Sequence, residues 1–173
     1  MRKVAPMRGL VLIAVVCVAL AGGFAGWSGW RWWQAEYGGT AVAARARDDA
    51  MDAGRQAVAL LNTLDHRAVD DGLRRWLEVS AGALHEELSR AQRDGRERLA
   101  GARTVTVGTV VDAAVTELDA AAGTARMIAS VDIQVTPDGG QPTTKRARQQ
   151  ADLVRVGDTW KLGALGQVPT SPV

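Results

Sequence analysis

The sequence predicts an α+β domain, three helices followed by a run of antiparallel strands, placed behind one membrane-spanning segment. Three observations carry that expectation. Residues 9–30 form 22 consecutive positions without a charge. Between residues 41 and 99 apolar side chains recur at three- and four-residue steps, the period of a helix with one buried face. After Gly101 the period changes to two, the alternation of half-buried strands. Helices first and strands afterwards is an α+β order, unlike the alternating units of a parallel sheet.

The uncharged run is centred on Leu10 to Leu20, and as a helix it would extend roughly 33 Å, enough to cross a hydrocarbon core of about 30 Å. Arg2, Lys3 and Arg8 precede it, and positive charge stays on the cytoplasmic side, so residues 1–8 are expected inside and the domain outside. Trp27, Trp30, Trp32 and Trp33 crowd its far end, where an indole's apolar body and N–H donor suit the headgroup layer. The expected transmembrane segment with its belt therefore covers 9–33, with Arg8 and these four tryptophans at the two interfaces. A rival reading is a cleaved signal peptide, since Ala19-Leu20-Ala21 has a small-x-small form. Cleavage there would leave a mature N terminus full of exposed tryptophan.

Residues 34–40, with Gly38-Gly39, read as a hinge, and the domain is expected over 41–166. Its first helix, 41–64, places Ala43, Ala46, Ala50, Ala53, Ala57, Leu61 and Leu64 on one face and Arg45, Asp48, Asp49 and Asp52 on the other. A second, 70–79, opens on Asp70 and Asp71, which suit the unpaired N–H groups of a helix start, and buries Leu73, Trp76 and Leu77. A third, 83–99, lines up Leu84, Leu88, Ala91, Gly95 and Leu99. Strands follow at 104–118 (with a kink expected near Gly108), 125–136, 144–156 and 159–165, and 167–173 is a frayed tail. In the second of these, Met127, Ala129, Val131, Ile133 and Val135 alternate with Arg126, Ser130, Asp132, Gln134 and Thr136.

Charge narrows the function. Of 21 basic residues, Arg2, Lys3, Arg8 and Arg31 lie in 1–33, which hold no acid, leaving 17 bases against 19 acids in the rest. The basic excess thus belongs to the anchor, and nucleic-acid binding is not expected of a faintly acidic domain. Cys17 is the only cysteine, so no intrachain disulfide forms and packing alone must hold the fold.

The element order, with the closing Val156-Gly157-Asp158-Thr159-Trp160-Lys161-Leu162, resembles the cone-shaped NTF2-like fold, whose final hairpin commonly carries a Gly-x-x-Trp-x-apolar pattern. With the anchor added, the chain resembles the mammalian-cell-entry (Mce)-associated membrane proteins of actinobacteria. The residues concerned are Val58-Ala59-Leu60-Leu61-Asn62-Thr63-Leu64, then Asp65-His66 with Val69-Asp70-Asp71, and the Trp160 hairpin. The chain departs from that family at Ser80-Ala81-Gly82, where Thr-Gly is frequent, and in its sparse second-helix aromatics. The resemblance implies three helices packed on a curved antiparallel sheet of about four strands. It also implies a non-catalytic accessory subunit of an Mce-type importer of lipids such as sterols or fatty acids. Partners would be Mce transporter subunits or related membrane proteins, besides the bilayer, with a homo-oligomer left open.

Two other classes compete: an anchored small-molecule-binding or cyclase-like enzyme, and a secretion-system scaffold. An isomerase-like site needs a carboxylate base facing an oxyanion donor, often a tyrosine. The one tyrosine, Tyr37, falls in the hinge. The remaining candidates for a cone or pocket are Asp65, His66, Trp76, Asp132 and Trp160. Asp65-His66 more simply reads as an interhelical loop, and Asp132 as part of a polar sheet face. His66 and His85 are the only histidines, and no ligand spacing implies a metal or cofactor. Lys145, Arg146 and Arg148 form the one basic cluster, which would suit a phosphate-bearing partner or an edge strand protected by charge.

Overall fold

The computed structural model describes residues 41–168, and the unit considered below begins at Arg45. Among the described residues the chain is helical over 41–61 (α1), then forms β1 (Leu64–Asp65), α2 (Val69–Val79), α3 (Gly82–Gly101), β2 (Thr104–Asp119), β3 (Thr124–Pro137), β4 (Thr143–Val156) and β5 (Thr159–Gln167). The sheet is fully antiparallel in the order β1-β2-β3-β4-β5, so every strand pairs with its neighbour in sequence. This corrects the expected sheet of about four strands. The fifth, β1, is two residues long and too short to show a period; it exists because Leu64 and Asp65 pair with Thr106 and Val105.

No helix among the described residues is long and apolar enough to cross a membrane. The expected segment at 9–33, with Arg8, Trp27, Trp30, Trp32 and Trp33, lies outside the described residues.

α1 packs on one face of the sheet through small side chains. Ala46, Ala50, Ala57 and Val58 are buried with Met127, Val131, Ala151 and Leu153. A Cβ on Gly54 would stand 2.9 Å from Met127 Cε, so the helix approaches the sheet as closely as its alanines and glycine allow. The helix also reaches β2 with a side chain: Arg47 Nη1 donates to Val115 O at 2.7 Å.

The irregularity expected near Gly108 begins two residues further on. Pairing runs unbroken through Gly108–Ile133, and the register shifts fall between Val110 and Asp112 and between Val115 and Glu117. The glycine serves a different need. A Cβ at Gly108 would stand 2.5 Å from Asn62 Cβ and 2.9 Å from Ala59 O, so the end of α1 rests directly on this strand.

α2 starts without a side-chain cap at Ala68, its first turn carrying Asp70 and Asp71 instead. Leu73 is fully buried, and the Trp76 indole N–H donates to Leu60 O at 2.8 Å and Thr63 O at 3.2 Å. It thereby satisfies carbonyls left over at the end of α1. Ser80 bridges to Leu162, and Ala81 N donates to Leu162 O at 2.8 Å, which fixes the α2–α3 connection against β5. α3 buries no residue completely; Leu84 alone of its leucines packs against the main core.

Candidate functional site

The structure disperses the five candidate pocket residues. Asp65 and His66 are adjacent at the exit of β1. Asp65 Oδ1 accepts the backbone N–H of Arg67 at 2.9 Å, and His66 N donates to Thr104 O at 3.3 Å. His66 Nδ1 is buried without a hydrogen-bond partner, 3.6 Å from Asp65 Oδ1. Both belong to the turn that leads into α2, beside an open groove of about 340 Å³ that Arg67, Asp70 and Arg96 also line. Asp70 is ion-paired with Arg96, and Arg67 with Asp138 at 2.9 Å, so these charges compensate one another.

The other three serve elsewhere. Trp76 closes the end of α1 as described. Trp160 is buried in the core between the helices and the sheet. Asp132 lies on the sheet's opposite face, where it accepts from Arg146 Nε at 2.6 Å and Nη2 at 2.8 Å. That two-pronged hydrogen bond holds the Asp132 carboxyl below the usual carboxylate range and raises the Arg146 guanidinium. Among the described residues no group of acids, histidines and cysteines is arranged to hold a metal ion.

β4 is an interior strand, so edge protection does not account for its basic cluster. The pleat divides that cluster. Lys145 pairs with Ile133 on the helix-covered face, while Arg146 and Arg148 project from the other.

The outer face, the one that α1 leaves uncovered, holds what sequence reasoning missed. Arg126 on β3 joins its neighbours on both sides, donating from Nε to Asp152 at 2.8 Å and from Nη1 to Glu117 Oε2 at 3.0 Å. The hydrogen bond to Asp152, with both carboxylates' charge, raises its pKa further. These groups line a groove of about 410 Å³ beside the β2–β3 turn. Between this ridge and the Asp132–Arg146 pair run two rows, Ala114, Ile128, Gln150 and Gly166, and beside it Asp112, Ser130 and Arg148. Val107, Val111, Ile128 and Val156 are the exposed large apolar side chains among the unit's described residues, and all four lie on this face or at its β2 bulge. Ile128 was legible as an apolar residue on a face otherwise read as polar; the others needed strand register.

The unit is thus a single antiparallel sheet with helices on one face, and its second face carries two ion-paired ridges and partly exposed valines and isoleucine. The fold resembles that of several type IV secretion system proteins. The chain is similar to an IcmL-like type IV secretion system protein from Legionella pneumophila, with TM-score 0.58 and 10% identity over 73% of this chain and 95% of that one. It is similar to CagV, a VirB8 homolog from Helicobacter pylori, with TM-score 0.54 and 10% identity over 68% of this chain and 96% of that one. It also matches VirB8 of Agrobacterium tumefaciens, with TM-score 0.51 and 9% identity over 70% and 92% of the two chains. This likeness replaces the expected four-stranded NTF2-like cone, because the observed sheet is the five-stranded VirB8/IcmL-like one. By sequence, the family described as uncharacterized protein Rv1363c/MT1408-like matches residues 10–169, and the chain belongs to it. No curated protein matches the chain in sequence.

Proposed function

We propose that this chain is a non-catalytic scaffold of the cell envelope, a domain held outside the cytoplasm that docks on neighbouring subunits of a membrane complex. The observation that carries the reading is the uncovered sheet face, which holds the exposed large apolar side chains of the unit's described residues, Ile128 and Val111 between two ion-paired ridges and Val107 and Val156 beyond them. The likeness in fold to VirB8 and IcmL-like proteins supports the secretion-type version of this role. In the reading, residues 9–33 act as the anchor, with Arg8 on the cytoplasmic side and the Trp27–Trp33 cluster on the other. Tethering keeps the domain beside its partners and raises their effective concentration.

The narrower attribution, to an Mce-type lipid importer, rests on sequence resemblance alone; fold likeness favours a secretion-type assembly. The test is mild-detergent purification of the full-length tagged protein from its native membrane, with mass spectrometry of what co-elutes. Envelope-complex subunits that disappear when the domain is removed support the scaffold, and their identity decides between the two assemblies. A protein that elutes alone with a bound small molecule, and turns it over, sinks the scaffold reading.

A further inference from the structure

We infer that the outer sheet face is the seat of an amphipathic α-helix from a partner subunit, lying across the strands over Ile128. The inference rests on the scaffold reading and specifies its contact. The first argument concerns backbone. Sheet domains commonly take partners by adding a strand to a free edge, which needs unpaired main-chain groups. The β2 edge is partly occupied by side chains and the β1 turn. Thr63 Oγ1 accepts Gly108 N at 3.0 Å, Asp112 Oδ1 accepts Ala113 N at 2.9 Å, Arg47 donates to Val115 O, and His66 N donates to Thr104 O. On the β5 side, Leu162 O is taken by Ala81 N. A sheet face offers side chains only. Its occupant must therefore satisfy its own backbone, and a helix does so.

The second argument is shape. Residues 126 and 132 on β3 mark the two ion-paired ridges, and six residues of strand separate them by roughly 20 Å. Between the ridges, Ile128 is 39% exposed, with Ala114 opposite it on one side and Gln150 then Gly166 on the other. Ala114 and Gly166 leave room at either end of the Ile128–Gln150 row, and the roughly 20 Å between the ridges accommodates a helix about 10–12 Å in diameter.

The third argument is charge. The row next to Ile128 runs Asp112, Ser130, Arg148 across β2, β3 and β4. Among the described residues neither Asp112 nor Arg148 has an ion-pair partner, although Arg126, Asp132, Arg146 and Asp152 all do. Two interstrand spacings put Asp112 and Arg148 about 10 Å apart, close to the rise of seven residues along a helix. The complementary occupant carries a base over Asp112 and, seven residues away, an acid over Arg148. Its apolar residues, at i, i+3 or i+4, and i+7, rest on Ile128.

The test uses the full-length chain in its native membrane, with a photo-crosslinking phenylalanine derivative in place of Ala114 and, as a control, in place of Arg93 on α3. The expected result is an adduct at position 114 mapping to one segment of another subunit with that apolar period and charge spacing. Ile128→Glu should lower its yield about tenfold or more, as should Val111→Glu if the helix reaches the bulge. Both positions are exposed, and an unchanged melting curve confirms that the variants fold. Arg148→Glu should weaken the adduct, and reversing the facing acid to Lys should restore it. Adducts only with lipid, with a second copy of this chain or with an extended segment overturn the inference, as does a yield insensitive to Ile128→Glu. If position 114 stays silent while envelope subunits still co-purify, the helix seat is wrong and the scaffold stands. If the unsubstituted protein recovers no subunit, both fall.

Discussion

The side-chain amides of Asn62 and Gln149, 87 residues apart, exchange two hydrogen bonds, Asn62 Nδ2 to Gln149 Oε1 at 2.9 Å and Gln149 Nε2 to Asn62 Oδ1 at 3.1 Å. Asn62 Nδ2 also donates to Val58 O at 2.8 Å, which finishes α1. Gln149 is 7% exposed on the helix-covered face, so the pair ties the last turn of α1 to the middle of β4. Gln149→Ala leaves Asn62 Oδ1 without its donor and should cost about 1–3 kcal/mol in urea unfolding. A double-mutant cycle with Asn62→Ala should return a coupling of about 0.5–3 kcal/mol. Additive single losses would show that the pair is incidental.

Gly108→Ala tests the contact between α1 and β2. The new methyl would meet Asn62 Cβ at 2.5 Å and Ala59 O at 2.9 Å, and neither is a flexible chain end. The helix end must lift, with a loss of about 1–3 kcal/mol typical of overpacking. Gly95→Ala, with nothing within 4 Å, serves as the control and should be neutral or slightly stabilising.

Trp76→Phe keeps most of the ring and removes the N–H that reaches Leu60 O and Thr63 O. The expected cost is about 1 kcal/mol, and backbone amides near residue 64 should exchange faster with solvent. A wild-type exchange pattern would assign the indole a packing role only.

Leu73 is fully buried where α2 meets the rest of the unit. Leu73→Ala should destabilise by about 2–5 kcal/mol, read as a lower urea midpoint at unchanged slope. A loss under 1 kcal/mol would mean that α2 is not an integral part of the fold.

The Asp132–Arg146 pair has a definite sign with pH. Because Arg146 depresses the folded-state pKa of Asp132, the pair's contribution is fully present above the unfolded carboxylate value near about 4. It is lost as pH falls from there through the lower folded value. A carboxyl-carbon NMR titration should place the Asp132 inflection below that of an unpaired aspartate, and Arg146→Gln should move it upward. An inflection at the ordinary value in the intact chain would remove the pair from the account of the outer face.

Periodicity carried most of the secondary structure. The change from three- and four-residue steps to alternation fell where α3 ends at Gly101 and β2 begins at Thr104. The face of β3 that holds Met127, Ala129 and Val131 was readable because one side of a strand against a helix must be apolar. β1 was invisible, since two residues have no period and their pairing depends on where Thr106 lies in space. The candidate pocket failed to assemble for a similar reason. Asp65, His66 and Asp132 are chemically suited to one another, but proximity follows register, and register put Asp132 beside Arg146.

What the sequence determined by itself was local: which segments coil, which extend, which side of each is apolar, and that the domain's charge is nearly balanced. These follow from side-chain spacing and backbone preference, properties carried by neighbours along the chain. Tertiary structure decided what each exposed group faces. Arg126 finds Glu117 and Asp152, Gly108 makes room for Asn62, and Ile128 stands between two ion-paired ridges, because strand pairing and two bulges set positions that no nearby residue encodes. The working surface of this protein is built from such pairings, and its outline appears only when the strands are laid side by side.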